Sequence, residues 1–139
     1  MGKSLEELSS YMRPVAEELL RLATEAGLDP VIEDTGRTPT EQEEKINLGV
    51  SWTNKSKHLP QPPEGKSEAV DIVPKACMKE KYWGWTGEVE TSHPHWAKLI
   101  ELVESVGLES GVHFPHPDPG HVQWPHDRVK PGSPPVSRA

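Results

Sequence analysis

The segment Ser67-Glu68-Ala69-Val70-Asp71-Ile72-Val73 carries one aspartate inside a largely apolar run. From Glu68 to Val73 the composition is rich in apolar and β-branched side chains, which predicts a short strand. A lone aspartate in a strand is usually a cap or a salt-bridge partner. Asp71 therefore indicates a functional site only if other polar residues of suitable chemistry accompany it along the chain.

A helix is predicted ahead of this strand, from about Pro14 to Ala26. Proline is favourable in the first turn of a helix, and the glycine at position 27 is a residue type that commonly ends one. Apolar residues recur through this segment at the spacing of one helix face. They are Val15, Leu19, Leu22 and Ala26.

The remaining predicted elements are short strands, helices and a proline-containing loop. The strands are Val31 to Thr35, Val112 to Phe114 and His121 to Trp124, the helices run from Thr38 to about Leu48 and from Pro94 to just before Gly107, and the loop spans Ser51 to Lys66. Helices mixed with short strands in this order favour an α+β domain. We expect a small antiparallel sheet packed with helices.

Length, charge and composition limit the possible functions. The 139 residues fit one domain, predicted at residues 1–126, and the polar, proline-containing tail at 127–139 is expected to be disordered. The formal net charge of −7 argues against a nucleic-acid partner, because such binding needs a basic face. No stretch approaches the roughly 20 apolar residues of a membrane span, so no membrane insertion is expected. The single cysteine excludes an internal disulfide, and a monomer is expected.

Two histidines provide the further metal-binding groups that Asp71 would need to hold an ion. His58 follows Ser56-Lys57 in the predicted loop, and His121 opens the last predicted strand. Two neutral imidazoles and one carboxylate form a three-ligand set for Zn²⁺, which leaves a fourth position for water, as catalytic zinc sites do. A lone histidine is more often a hydrogen-bonded surface or core residue, so the prediction rests on all three residues together.

Asp118 and Arg37 complete the set of candidate catalytic residues. Asp118 lies three residues before His121 in a tight Asp-Pro-Gly turn, where a carboxylate is suited to act as a general base on water. Arg37 follows the first predicted strand, and its fixed charge suits polarisation of a scissile carbonyl. Each also has a simpler interpretation. Arg37 could pair with Glu33 or Glu41, and Asp118 could be ordinary turn chemistry.

Four motifs in one order resemble the zinc D-alanyl-D-alanine carboxypeptidase and L-alanyl-D-glutamate endopeptidase family, which includes VanY-type enzymes and phage endolysins. The motifs are Gly36-Arg37-Thr38-Pro39-Thr40-Glu41-Gln42, Ser56-Lys57-His58, Ala69-Val70-Asp71 and Asp118-Pro119-Gly120-His121-Val122-Gln123-Trp124. The resemblance spans roughly residues 14 to 124. It implies the D-alanyl-D-alanine peptidase and hedgehog-like fold.

The resemblance also implies residue roles and a substrate. His58, Asp71 and His121 would be zinc ligands, Asp118 the acid/base, and Arg37 the carbonyl-polarising arginine. The expected partner is the stem peptide of bacterial peptidoglycan, cut between L-alanine and D-glutamate by a phage endolysin. No signal peptide is expected, so such an enzyme would be made in the host cytoplasm and reach the wall after the membrane is permeabilised. The alternatives are a D-alanyl-D-alanine carboxypeptidase and a non-catalytic, zinc-stabilised binding module.

Two departures from the family pattern concern the predicted metal site. Twelve residues, Leu59 to Val70, separate His58 from Asp71, against about six in the family, and Ser67 replaces a glycine. We interpret residues 59–66 as a loop insertion, which costs little in closure entropy. It lies beside the predicted cleft and is a candidate determinant of substrate choice.

Several other residues carry weaker functional predictions. His113 and His116 are near the predicted site, but a role in binding substrate or supporting a ligand is less favoured than none. Cys77 is expected to be a buried small residue. Trp83 and Trp85 either line a cleft for sugar or peptide or belong to the core.

Overall fold

A four-stranded antiparallel sheet is the centre of the fold. The computed structural model describes residues 2–37, 40–41 and 56–131. Within them the strands are β1 (Pro30–Asp34), β2 (Ala69–Pro74), β3 (Glu109–Ser110) and β4 (His121–Gln123), in the spatial order β1-β2-β4-β3. All neighbouring strands are antiparallel. The α+β class and the small antiparallel sheet are therefore confirmed.

Helix α1 (Met12–Glu25) precedes β1 and packs on the sheet. Pro14 lies in its first turn, as predicted, and Gly27 follows its end with a φ of 80°. The amide of Leu28 donates to the carbonyl of Ala23, which closes the helix end in the manner of a Schellman motif.

The buried face of α1 differs from the row of apolar residues recognised in the sequence. Of the four residues in that row, only Leu19 is fully buried. The buried residues are Met12, Ala16, Leu19 and Ala23. Val15 and Leu22 are partly buried and Ala26 is exposed, because alanines at the core-facing positions let the helix approach the sheet closely while the larger residues cover the flank.

Helix α2 (Pro94–Ser105) was correctly predicted from its spacing and from the proline in its first turn. Trp96, Leu99 and Val103 are its buried residues, and Ile100 and Val106 are partly buried. The ring of His93 accepts a hydrogen bond from the amide of His95 and so caps the helix start.

The predicted strand from Val112 to Phe114 was wrong. Residues Gly111–His113 form a 3₁₀ turn, and the strand in this region is the two-residue β3. The hydroxyl of Ser110 accepts from the amide of Val112, a cap that diverts the chain from an extended path. The alternation of apolar and polar residues here is therefore a feature of a turn.

Two predicted segments extend beyond the part of the chain that the structure describes. The helix from Thr38 to about Leu48 lies outside it except for residues 40 and 41, and so do residues 132–139 of the predicted tail. At the start of that tail, Arg128 donates to the carbonyls of Val106 and Gly107, and its guanidinium lies 4.2 Å from the ring centre of Trp124. None of the described helices is long and apolar enough to cross a membrane.

A buried carboxylate ties four parts of the fold together. Glu68 is 0% exposed, and its side chain contacts the hydroxyl of Tyr11, the Lys57 ammonium at 3.1 Å and the Lys130 ammonium at 2.9 Å. Its backbone amide donates to the carbonyl of Lys57, and its own carbonyl accepts from the amide of Trp124. Glu68 thus joins α1, the loop before β2, the end of β4 and the chain beyond it.

Glu68→Gln removes the charge that the two lysines share while keeping a similar shape. Burial alone would raise the pKa of this carboxyl, but Lys130, Tyr11 and Lys57 outweigh that effect and lower it. The Glu68 contribution to stability is therefore complete above the usual glutamate pKa and is lost as the pH falls through the lower folded-state value. We expect a loss of about 3 kcal/mol in the free energy of unfolding at pH 7, shrinking in acid. Urea titrations across pH measure it.

The exposed Glu88 offers a matched control, since Glu88→Gln should leave stability nearly unchanged. An equal deficit for Glu68→Gln at pH 7 and in strong acid would contradict an electrostatic role for Glu68.

Candidate metal site and its surroundings

Strand pairing brings three polar side chains next to one another: the carboxyl groups of Asp34 and Asp71 and the imidazole of His121. Asp71 in β2 is paired with His121 in β4 on one side and with Asp34 in β1 on the other. An irregularity between Ile32 and Asp34 shifts the β1 register by one residue, and this shift places Asp34 opposite Asp71. Directly paired residues of adjacent strands project from the same face of a sheet. The sheet itself therefore assembles one side of the site.

The chain just after β1 holds His58 against the sheet. The Nδ1 of His58 lies 2.7 Å from the carbonyl oxygen of Thr35, and the carbonyl of His58 accepts from the amide of Arg37. The hydroxyl of Ser67 donates to the same Thr35 carbonyl at 2.7 Å. Ser67 thus takes part in orienting the histidine.

The long interval between His58 and Asp71 is absorbed by a loop closed at its base. The amide of Glu68 donates to the carbonyl of Lys57, and farther out the amide of Gln61 donates to the carbonyl of Lys66 at 2.9 Å. These bonds bring the two ends of the loop together, so the additional residues project away without displacing His58. The interpretation of residues 59–66 as an inserted loop agrees with this geometry.

The three predicted ligands meet around one carboxylate oxygen. The Oδ1 of Asp71 lies 3.0 Å from His58 Nε2 and 3.3 Å from His121 Nδ1, and all three ligand atoms lie within 4.8 Å of one another. Ligand bonds of about 2.0–2.1 Å in a tetrahedral site place neighbouring ligand atoms about 3.3 Å apart. The two distances from Asp71 Oδ1 are close to this value. His58 and His121 are buried, and Asp71 is partly buried.

In each imidazole ring, the nitrogen that points away from Asp71 makes a hydrogen bond. This bond determines that the nitrogen facing Asp71 carries a lone pair. His58 Nδ1 faces the Thr35 carbonyl and His121 Nε2 faces the Gln123 side-chain oxygen at 2.8 Å, so each must donate its proton there. In the neutral rings, two lone pairs then point at a carboxylate oxygen. Such an arrangement is stable only with a positive charge between them, either a proton or a metal ion. The donor set fits Zn²⁺.

The electrostatics of the residues themselves favour a cation at this point. Burial alone would raise the pKa of Asp71, but the charges and hydrogen bonds of His58 and His121 outweigh it, and the pKa lies well below its usual value. Burial alone would lower the pKa of His121, yet its hydrogen bond and attraction to Asp71 raise it. Both shifts show that the carboxylate stabilises positive charge beside it.

Arg37 lies against the opposite oxygen of Asp71. Its Nη2 is 3.4 Å from Asp71 Oδ2, and its Nε donates to Asp34 Oδ2 at 2.5 Å. The partners that the structure gives for Arg37 thus include two aspartates at the candidate site, Asp34 and Asp71. Asp34 is 3% exposed and fixes the guanidinium beside the site. Sequence reasoning missed Asp34, since only the shifted β1 register shows that it faces Asp71.

The turn carrying Asp118 leads directly into His121. The amide of Asp118 donates to the carbonyl of Gly111, and its own carbonyl accepts from the amide of His121. A Cβ at position 111 would lie 2.5 Å from the Asp118 carbonyl oxygen, so only glycine permits this approach. The turn is thus held tightly against the strand that carries His121.

The pKa of the Asp118 carboxyl depends on the charges of the candidate site. Much of the residue is exposed, but the protein around the carboxyl displaces water and raises its pKa, and the negative charge of Asp71 raises it further. His121 and His58 act in the opposite direction. Asp118 is therefore near the candidate ligands without belonging to the group of three that could share an ion.

Other candidate residues are not among the three that could share an ion. His113 is exposed and lies 3.3 Å from Glu104, and His116 is exposed. Cys77 is fully buried, and burial raises the pKa of its thiol to about 11, as expected of a packed small residue. Sequence reasoning did not single out Phe114, whose ring centre lies 5.1 Å from that of His121 and packs beside the candidate ligand.

A solved structure with a similar fold is the L-Ala D-Glu endopeptidase ChiX from Serratia marcescens. The two share 18% sequence identity with a TM-score of 0.57, and the match covers 87% of this chain and 83% of that one. The scan against protein-family models and the search of curated proteins found no match. At this identity the likeness establishes the fold, which is the one that the sequence resemblance implied.

Removal of one ligand tests whether the three residues bind one ion. We expect the full chain to bind one equivalent of zinc, and zinc at about 100 times its Kd to raise Tm by about 8 °C. A chelator should reverse the shift. Asp71→Ala should abolish both the zinc binding and the shift, because two imidazoles alone leave the set incomplete. Calorimetric titration and thermal unfolding measure these effects.

Exposed residues of the same types provide controls. His126→Ala and Asp127→Ala should bind zinc as the unaltered chain does. Retention of the zinc-dependent Tm shift in Asp71→Ala would exclude Asp71 as a ligand.

Proposed function

We propose that this protein is a zinc-dependent peptidase that cuts the stem peptide of bacterial peptidoglycan. The observation that carries the proposal is the meeting of His58 Nε2, Asp71 Oδ1 and His121 Nδ1 within 4.8 Å, with both remote ring nitrogens committed to acceptors. A three-ligand set of this kind is typical of catalytic zinc, which keeps one position open. Arg37 and the Asp118 turn beside it are features that a purely structural zinc site would not require.

The proposed bond is the one between L-alanine and D-glutamate. The structural neighbour is described as an L-Ala D-Glu endopeptidase, and the motif resemblance includes enzymes of that specificity. The alternative cleavage, release of terminal D-alanine, is an outcome that the product analysis below distinguishes.

Different residues of the chain would carry out different steps of amide hydrolysis. Zinc bound by the three ligands would supply a Lewis acid that lowers the pKa of water and polarises a carbonyl. Asp118 would take the proton from the attacking water and return it to the leaving amine; its raised pKa suits this exchange. Arg37, held by Asp34, would stabilise the negative charge that develops on the carbonyl oxygen.

An open pocket next to the candidate ligands offers space for a peptide. It has a volume of about 540 Å³, and its wall includes His58, Arg37 and three residues of the inserted loop, Pro60, Gly65 and Lys66. The wall carries the positive charges of Arg37 and Lys66 beside the negative charges of Glu7 and Glu41, and Lys66 would pair with the free carboxylate of a glutamyl residue. The loop that departs from the family pattern is therefore proposed to contribute to substrate choice.

A lytic role as a phage endolysin remains part of the proposal. Cleavage of stem peptides between L-alanine and D-glutamate cuts the links between glycan strands, which suits lysis after the membrane is permeabilised. The protein is also proposed to act as a monomer. A nucleic-acid partner is not proposed, because the net charge of the protein is negative.

Asp118→Asn separates proton transfer from metal binding. We expect the variant to bind zinc with nearly unchanged affinity and to lose about 10²- to 10⁴-fold in kcat on muropeptides, because an amide cannot exchange the proton. His113→Ala is the matched control, since His113 is exposed and paired with Glu104. Wild-type rates of lysis of permeabilised cells by Asp118→Asn would show that the role assigned to Asp118 is wrong.

Mass spectrometry of digested muropeptides identifies the bond that is cut. The proposal predicts a new N-terminal glutamate and no free D-alanine, with all cleavage lost after chelation and restored by zinc. Release of D-alanine instead would make the protein a carboxypeptidase. Intact muropeptides with zinc fully bound would favour the non-catalytic binding module.

A further inference from the structure

Two consecutive aromatic rings are exposed on the surface, and the proposed chemistry uses neither. Tyr82 is 77% exposed and Trp83 is 43% exposed. They belong to a 3₁₀ turn at Lys81–Gly84 and are called the aromatic platform below. The sequence left Trp83 and Trp85 either lining a cleft or in the core; Trp83 is exposed, whereas Trp85 is partly buried and packs against the core.

The backbone of the aromatic platform is in a conformation that bulky residues rarely adopt. Both Tyr82 and Trp83 have a φ of 54° and a ψ of 29°, in the left-handed region. Strain of this kind persists only where the surroundings impose it, and it is found preferentially at ligand-binding and active sites. Two strained residues that leave their rings in solvent point to a function for the rings.

Specific hydrogen bonds impose this conformation. The amide of Trp83 donates to the carbonyl of Glu80, and the amide of Trp85 donates to that of Tyr82. The indole Nε1 of the fully buried Trp96 donates to the Trp83 carbonyl at 2.8 Å. The platform is therefore fixed to α2 by a core residue.

The same tryptophan connects the aromatic platform to the turn that precedes His121. The far edge of the Trp96 ring lies 3.8 Å from the position of a Cβ at Gly120, whose carbonyl accepts from the amide of Ile72 in β2. One indole ring thus separates the Trp83 backbone from the Asp118–His121 turn. The platform and the turn that carries the candidate acid/base therefore pack on two sides of the same core residue.

The surroundings of the platform suit a neutral, polar ligand with an apolar face. An open pocket of about 630 Å³ adjoins Tyr82, and its wall combines Trp85 with the neutral polar residues Thr86, Thr91 and Ser92. The wall also carries one charge of each sign, from Glu80 and from Lys81, whose ammonium lies 5.3 Å from the Tyr82 ring centre. Sugar rings present an apolar C–H face that stacks on aromatic rings, together with groups that hydrogen-bond to polar side chains. A protein partner would need about 800 Å² of surface, far more than two rings supply.

Charge also favours a sugar over a membrane surface. The formal net charge of −7 repels anionic lipid headgroups, which are attracted by clusters of lysine and arginine. A glycan sugar whose acid group is already joined to a stem peptide is uncharged, so the negative protein does not repel it.

We propose that the aromatic platform binds N-acetylated sugar rings of the glycan strand to which the stem peptide is attached. The inference rests on the proposed peptidase function and deepens it, because it makes the wall-attached peptide, rather than the free peptide, the preferred substrate. The sugar lies on Tyr82 and Trp83 while the stem extends to His58, Asp71 and His121.

The test compares two zinc-loaded reactions of the full chain: cleavage of a disaccharide-linked stem peptide and of the same peptide without sugar. We expect the sugar to raise kcat/KM. Tyr82→Asn and Trp83→Asn remove a ring while keeping a residue that tolerates the left-handed backbone. Each should lower the ratio of the two kcat/KM values about two- to tenfold, the effect of losing one stacked ring. The rate on the free peptide should stay unchanged.

Two control variants separate ring stacking from other effects. Tyr82→Phe keeps the ring and should keep the ratio, whereas Met78→Ala removes a neighbouring exposed apolar side chain (37% exposed) and should also keep it. Equal kcat/KM for the two substrates, or a ratio unchanged in both asparagine variants, would overturn the sugar subsite while leaving the peptidase proposal intact.

A binding measurement decides the inference if neither substrate is cleaved, an outcome that would count against the proposed function. NMR titration with an N-acetylglucosamine tetramer should then shift the resonances of Tyr82 and Trp83 in the full chain and leave the remaining ring unshifted in each asparagine variant. Absence of any shift in the unaltered chain at millimolar sugar would overturn the inference.

Discussion

The carboxylate of Asp71 requires a positive charge beside it. It lies in the second strand of a four-stranded sheet, among buried residues, and two imidazole nitrogens approach its Oδ1 at 3.0 and 3.3 Å. A charge in such surroundings is tolerated only when it is paired. Arg37 supplies one positive charge at Oδ2, and because each ring donates its remote proton elsewhere, the lone pairs that face Oδ1 call for a second one between the rings and the carboxylate. This one requirement explains why the donor set suits a divalent cation.

The rest of the fold positions the groups that meet at Asp71. The irregularity in β1 places Asp34 opposite Asp71, and Asp34 holds Arg37 there through an ion pair. The segment after β1 orients His58 through the Thr35 carbonyl. Glu68, three residues before Asp71, holds the other side of the His58 loop through Lys57. The hydrogen bonds of the sheet, the buried charges and the ligand geometry are therefore parts of one connected network.

Sequence patterns predicted the features that depend on local backbone and side-chain preferences. They missed the features that depend on how the strands pair. Pro14, Gly27 and Pro94 marked the helices because their backbone preferences are local. The three candidate ligands were found from residue type and motif order. Asp34 was missed because its role follows from an irregular strand pairing, and residues 112–114 were assigned to a strand because a serine cap is not visible in an apolar alternation. The buried face of α1 differs from the apolar row in the sequence because alanines contribute little to a hydrophobic pattern.

A crystal structure of the zinc-loaded protein, with anomalous diffraction at the zinc edge, tests the central claim most directly. The account predicts one strong anomalous peak about 2.0–2.2 Å from His58 Nε2, Asp71 Oδ1 and His121 Nδ1, with a non-protein ligand in the fourth position. A peak elsewhere, or a fourth protein ligand that closes the coordination sphere, would contradict it.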